Sequence, residues 1–259
     1  MLLFRSILFN IAFYLNLVVY MLAALPTLLM PRRIVLAAVK SWARTNLWLL
    51  KVICGTKVEF RGLENLPQGA FLAAAKHQSA WETFALLPLF ADPAFILKRE
   101  LMWLPIFGWY NWRIEMIPVD RGARGQALAK MTERSRTELG RGRQIVIFPE
   151  GTRRPPGAEP KYKQGVAHLY AATGAACVPI ALNSGLYWPR RSFHRYPGTV
   201  RVEILPPIPP GMDKREFMRR LQGDIESATA RLVDEGRREL AGASPVQDKP
   251  ALTAGLTPK

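Results

Sequence analysis

Cysteine is nearly missing from this chain: Cys54 and Cys177 are the only two in 259 residues, and both sit in apolar stretches. That leaves no disulfide framework and predicts buried, reduced thiols, as in a globular part that faces the cytosol. Histidine is almost as scarce. His77, His168 and His194 lie far apart, so they do not make a metal-ligand cluster. His168 falls in a small-residue helical stretch and reads as packing; His194 falls in a basic aromatic loop, residues 190–196, and reads as surface. There is no Gly-x-Ser-x-Gly elbow, and neither cysteine has a histidine near it in sequence, so no covalent nucleophile is evident. Internal repeats are absent too. Charge is absent from Ser6 to Met30, where most positions are Leu, Ile, Val, Phe, Tyr or Ala.

An uncharged run of that length matches the roughly 20 apolar residues a helix needs to cross a bilayer core. A cleaved signal is the competing reading, because Ala23 and Ala24 are small residues late in the run. The apolar core is long for a signal, however, and Arg5 alone supplies a positive start. A membrane anchor is therefore expected. Arg32, Arg33, Lys40 and Arg44 follow it and place the remainder on the cytoplasmic side, which implies the inner membrane. Residues 34–53 are amphipathic, with Trp42 and Trp48 among the apolar positions and Lys40, Arg44 and Lys51 among the charged ones, a pattern suited to an interface. Pro26 and Pro31 lie between the two segments, so both a span and a hairpin within one leaflet fit residues 1–54. The net charge of +16 adds an expectation of anionic partners: phospholipid headgroups, phosphorylated substrates or nucleic acid.

Beyond Gly55 short apolar runs alternate with helical stretches. Strands are predicted at residues 57–60, 71–75, 94–97, 116–119, 145–148, 177–182 and 200–205. Helices are predicted at 80–90, 126–139, 165–172 and 214–240. This alternation implies an α/β fold: one layered domain over residues 55–240 with a central mixed, largely parallel sheet flanked by helices. Residues 241–259 are rich in Pro, Ala, Gly, Ser and Thr and predict a disordered tail.

Polar groups gather where these strands should end, which is where α/β sheets bind ligands. Lys76-His77-Gln78-Ser79-Ala80-Trp81-Glu82 follows one buried strand. His77 suits a general base near neutral pH, and Glu82 can orient it if the histidine lies in the entry loop and the carboxylate in the first helical turn. Ser79 and Glu82 also have the spacing of a capping box, so Glu82 can instead bond the backbone of Ser79. The two roles are compatible, since a carboxylate has two oxygens. Phe148-Pro149-Glu150-Gly151-Thr152-Arg153 follows a second strand and offers an arginine shaped for phosphate; a plain polar turn is the alternative there. Lys98-Arg99-Glu100 and Asp120-Arg121 follow two more strands.

Together these blocks resemble the glycerolipid acyltransferase family, in particular its bacterial 1-acyl-sn-glycerol-3-phosphate acyltransferases. The first block is similar to a His–four residues–Asp motif, here with Glu82 in the acidic place; Leu97 to Gly108, Asp120-Arg121, Phe148 to Arg153 and Val178-Pro179-Ile180 match later ones in order and spacing. The resemblance implies transfer of a fatty acyl group from acyl-CoA or acyl carrier protein to lysophosphatidic acid, without a bound cofactor or metal. It implies His77 as base and Glu82 as its orienter. Glu150, Gly151, Thr152 and Arg153 would bind the glycerol phosphate, helped by Lys98 and Arg121. Glu for Asp adds a methylene that a shift in the helix start or a different rotamer must absorb. Two rivals remain: an acyltransferase for another lyso-lipid such as lyso-ornithine lipid, and a basic anchored binding protein without catalysis. Against the second, no nucleic-acid fold signature is present.

Overall fold

A computed structural model describes residues 1–120 and 124–242. Arg121 and the end of the expected tail, from residue 243, lie outside the described residues. Seven strands form one sheet: β1 Thr56–Arg61, β2 Phe71–Ala75, β3 Pro93–Lys98, β4 Ile117–Val119, β5 Gln144–Ile147, β6 Cys177–Leu182 and β7 Gly198–Ile204. Their order is β1-β7-β6-β2-β5-β3-β4, and every pairing is parallel except β6 with β7. The sheet is thus mixed and largely parallel, as the alternation of strand and helix patterns implied.

The period of two along each central strand divides the core into two layers. Phe71, Ala73 and Ala75 of β2, with Val146 of β5 and Val178 and Ile180 of β6, face the N-terminal helices α1 Leu2–Ala23 and α2 Arg32–Leu49. Leu72, Ala74, Ile145 and Ile147 face the opposite layer. That layer holds α5 Arg124–Gly140, α6 Gly165–Thr173 and α8 Lys214–Gly242. Every residue of β2 is buried, and its three alanines admit close packing on both faces. Three short helices complete the first layer and the sheet ends: α3 Glu82–Ala85, α4 Phe107–Arg113 and α7 Ser184–Tyr187.

The expected helix over residues 80–90 is the main difference from the sequence reading. It shrinks to the single turn of α3, followed by a 3-10 turn at Leu87–Leu89. Pro88 has no N–H to continue an α-helical ladder, and the backbone N–H groups of Gln78 and Ser79 are taken by a side chain. The segment α4 had no helical expectation; its seven residues are too few for periodicity to show.

The N-terminal pair is bound to the sheet layer along its length. Phe9 of α1 packs edge-on against Trp188 at 5.4 Å, and Phe13 meets Trp188, Phe84 and Trp42 at 5.5, 5.7 and 6.0 Å. Near its start, Ser6 Oγ accepts the Arg195 N–H at 2.9 Å, and Asn10 Nδ2 donates to the Phe193 carbonyl at 3.0 Å. Near its end, the Tyr110 hydroxyl donates to the Met21 carbonyl at 3.0 Å. The other side of α1 presents Phe4, Ile7, Leu8, Ile11, Tyr14, Leu15, Val18 and Leu22 to the exterior, an apolar stripe at helical spacing. It is one helix long and apolar enough to cross a membrane.

At the opposite end of the sheet a buried arginine collects the chain. Arg143 donates to Glu138 Oε2 at 2.8 Å and to the carbonyls of Pro93, Ile114 and Glu115 at 3.0, 2.9 and 3.1 Å. Asp92 joins it at 3.2 Å and is bonded in turn by Arg32 of α2 at 2.7 Å. Arg143→Ala removes the buried partner of Glu138, which keeps only the exposed Arg134 and Arg141 at 3.0 and 3.4 Å among the described residues, and leaves three carbonyls without their donor. We expect a loss of about 3–5 kcal/mol, measured as the shift of the urea midpoint followed by circular dichroism in detergent.

Candidate active site

Three adjacent strands bring the expected motifs together. The chain leaves β2 toward one side of the sheet and later returns to place β6 on the other, so the ends of β6, β2 and β5 flank a switch point. Because β2 and β5 are parallel neighbours with Ala74 opposite Ile147, Lys76-His77 emerges beside Phe148-Pro149-Glu150. The end of β6 delivers Ser184 to the same place.

Glu82 organises the first loop. Its Oε1 accepts the Gln78 and Ser79 N–H groups at 2.6 and 2.7 Å and lies 2.9 Å from His77 Nδ1. Its Oε2 accepts the Ser184 hydroxyl at 2.7 Å. Ser79 Oγ accepts the Trp81 N–H at 3.2 Å. The carboxylate therefore bonds the Ser79 backbone and the histidine at once, although Trp81 and not Ser79 stands at the N-cap of α3. The extra methylene is absorbed because α3 begins at Glu82 itself and the side chain curls back over residues 77–79. An ionised carboxylate only accepts, so Nδ1 carries the proton and Nε2 presents a lone pair. Nε2 makes no hydrogen bond among the described residues. The imidazole is held flat against Phe148, with ring centroids 4.2 Å apart.

Glu150 joins the two loops. Its Oε2 accepts the His77 N–H at 2.9 Å and its Oε1 the Lys76 ammonium at 2.9 Å. The His77 carbonyl in turn accepts the Arg154 N–H at 2.8 Å. Both Glu150 oxygens are thus used within the protein, and the residue is buried. Burial pushes its carboxyl above the usual range, against the pull of Lys76. Lys76 also bonds Glu226 of α8 at 2.6 Å, and the Tyr162 hydroxyl donates to the same oxygen at 2.9 Å. Burial foremost, and then Glu226, raises the Tyr162 phenol far above its ordinary value.

The remaining expected residues stand around this centre. Gly151 takes a left-handed φ of 64° in the turn after Glu150, which glycine adopts without strain. Thr152 is exposed and Arg153 half-buried; the Arg153 carbonyl accepts Arg190 Nη1 at 2.9 Å, and its guanidinium forms no ion pair among the described residues. Lys98, at the end of β3, pairs with Glu100 at 3.0 Å. His168 lies half-buried in α6, and His194 stacks loosely on Tyr196 at 6.1 Å. Among the described residues no three His, Cys, Asp or Glu side chains are grouped to hold a metal ion.

A cavity of 350 Å³ is lined by His77, Phe148 and Lys98 together with apolar side chains of α1, α2, β3 and α4. It shares Leu17, Val39, Trp42 and Phe107 with a narrower cavity that continues between α1, α2 and α4 to Tyr20 and Met21. The His77 imidazole thus stands at the wall of an elongated apolar space.

Residues 57–183 match the family model for Acyltransferase. Over those residues the chain is similar to the acyltransferase family. The chain is 40% identical to the 1-acyl-sn-glycerol-3-phosphate acyltransferase of Pseudomonas aeruginosa over 168 residues, 65% of each protein. It is 30% identical to the human 1-acyl-sn-glycerol-3-phosphate acyltransferase alpha over 169 residues, 64% of this chain and 60% of that one. It therefore spans less than two thirds of the length of either relative. The crystal structure of the 1-acyl-sn-glycerophosphate acyltransferase from Thermotoga maritima superposes with a TM-score of 0.73 at 24% identity, covering 90% of this chain and 99% of that one, and shares the fold.

Four residues of this centre had no role in the sequence reading: Lys76, Phe148, Ser184 and Gly185. Ser184 does follow a buried strand, so attention to a fifth strand end would have found it. Glu226, on a long charged helix, carries no local signal. Gly185 donates its N–H to Gln78 Oε1 at 3.0 Å, and a Cβ at that position would meet Pro156 Cδ at 2.7 Å and Gln78 Cβ at 3.0 Å. Gly185→Ala is expected to wedge the loops apart at a cost of about 1–3 kcal/mol, read as a lowered thermal midpoint in detergent.

Proposed function

We propose that this protein transfers a fatty acyl group from an acyl thioester to the sn-2 hydroxyl of lysophosphatidic acid, giving phosphatidic acid. The observation that carries this reading is the His77–Glu82 pair, with a free Nε2 at the wall of an apolar cavity. The acceptor hydroxyl gives its proton to Nε2 as its oxygen attacks the thioester carbonyl carbon. Glu82 balances the charge that forms on the imidazole. The tetrahedral intermediate collapses, the C–S bond breaks, and the leaving thiolate of CoA or acyl carrier protein takes the proton back. No acyl-enzyme forms, in keeping with a Ser79 hydroxyl that accepts the Trp81 N–H. Ser184 is spent on Glu82.

The Arg153 guanidinium, without an ion pair among the described residues, the left-handed turn at Gly151 and Thr152 suit the acceptor phosphate, with Lys98 and Arg121 adding charge. Glu150 acts one step removed, by fixing the backbone of His77. The apolar cavity takes an acyl chain. The exposed stripe of α1 supports attachment to the inner membrane with the domain on the cytoplasmic side. Both ends of α1 are hydrogen-bonded to that domain, so the hairpin reading is favoured: the helix lies in one leaflet.

His77→Ala is expected to abolish thioester release stimulated by lysophosphatidic acid while membrane attachment persists; retained activity would sink the mechanism. Glu82→Gln keeps the acceptor toward the loop but not the charge, and should lower kcat by about 10²–10⁴-fold. For Arg153→Ala we expect a raised KM for the acceptor with kcat little changed. A panel of lyso-lipid acceptors, run with CoA and carrier-protein donors, checks the substrate: a preference for lyso-ornithine lipid would replace the phosphate acceptor.

A further inference from the structure

Three tryptophans of the acyltransferase domain stand in the open: Trp103, Trp109 and Trp112 are 66%, 55% and 72% exposed. Leu104 lies among them, also exposed. None of them lines the cavity beside His77. The same segment turns its other side inward, where Leu101, Phe107, Asn111 and Ile114 do line it. A helix with core residues on one side and bare indoles on the other marks a surface that meets something else.

The segment is held firmly in this pose. A Cβ at Gly108 would meet the Met102 carbonyl oxygen at 2.0 Å, so α4 rests directly on the preceding turn. Ile106 between them has a left-handed φ of 62°, a strained conformation for a β-branched residue that its packing against the core maintains. Two side chains then bolt α4 to the N-terminal hairpin. The Tyr110 hydroxyl reaches the Met21 carbonyl, and Arg113 Nε donates to the Leu28 carbonyl at 3.0 Å, with Nη2 on the Met30 carbonyl. Leu28 shares a cleft with Trp109 and Trp112. The patch therefore adjoins the turn where the apolar stripe of α1 ends and where Leu29 and Met30 are also exposed. Arg33, exposed just after that turn, adds a positive charge with no ion pair among the described residues.

We propose that Trp103, Leu104, Trp109 and Trp112 form a second membrane-contact surface, carried by the acyltransferase domain itself. Its partner is the headgroup–acyl boundary of an anionic phospholipid bilayer. The proposal rests on the reading of α1 as a helix lying in one leaflet. Indole has an apolar body and one N–H donor, which suits that boundary, and the positive flank suits anionic headgroups. Two contacts, the stripe of α1 and the indoles beside the turn that follows it, fix the tilt of the domain where one helix alone leaves it free to roll.

The test uses the full chain with Trp48, Trp103, Trp109 and Trp112 changed to Phe, and the indoles returned singly; Tyr14→Trp in the same background reports on α1. Emission is measured on vesicles of phosphatidylglycerol and phosphatidylethanolamine carrying brominated acyl chains. Strong quenching of Trp109 and Trp112, comparable with the Tyr14→Trp reporter, is the expected result. A quenched reporter with Trp109 and Trp112 unquenched overturns this proposal and leaves the reading of α1 standing. An unquenched reporter overturns both. In parallel, Trp109→Ser/Trp112→Ser should weaken vesicle partitioning by about tenfold per indole; unchanged partitioning would also overturn it.

Discussion

One buried carboxylate ties the ends of two parallel strands together. Glu150, at the end of β5, accepts the backbone N–H of His77 and the ammonium of Lys76, both from the end of β2. Removing Glu150 alone leaves a buried ammonium and a buried amide with fewer partners, which is costly. The position of the imidazole follows from this constraint. With its backbone fixed by Glu150 and Arg154 and its ring fixed by Glu82 and Phe148, His77 has little freedom left. Pre-organisation of this kind is what a base needs if its lone pair is to meet a substrate hydroxyl without reorganising.

The charge balance behind the imidazole has the same logic. Lys76 stands between Glu150 and Glu226. Its single positive charge faces two carboxylates, so burial raises the Glu150 carboxyl even while the lysine opposes it. On the other side of the ring, Glu82 meets two backbone N–H groups, a serine hydroxyl and Nδ1, all donors to its ionised form. The two acids differ in company, and so in work: one holds the loop and the other the ring.

Most of the fold is legible in the chain. The strands announce themselves by short apolar runs, or in β1 and β7 by alternation, and β2, β5 and β6 do so most clearly because central strands are buried on both faces. The His77 and Glu150 motifs are legible for the same reason: polar groups that directly follow a buried strand stand out. What stays hidden is masked locally or depends on distant partners. Helix α3 is short because Pro88 cannot extend its hydrogen-bond ladder, a break that the apolar pattern over residues 80–90 masks. Ser184 and Glu226 reach the site only through the order of the strands and the path of α8. The exposed side of α4 is invisible to periodicity, since tryptophan in a seven-residue helix reads as core.

The tethering of α1 at both ends changes how the molecule relates to its surroundings. A helix that spans must match the thickness of the hydrocarbon slab, and it tilts or deforms the bilayer when it does not. A helix strapped along a folded domain, with Phe9 and Phe13 turned inward and the stripe from Phe4 to Leu22 turned outward, presents a face and not a length. Its fit is set by the depth of that face, so longer or shorter acyl chains in the lipid around it leave the fit unchanged. On the proposed reading, an enzyme whose product helps determine those chains is insulated from the thickness it creates.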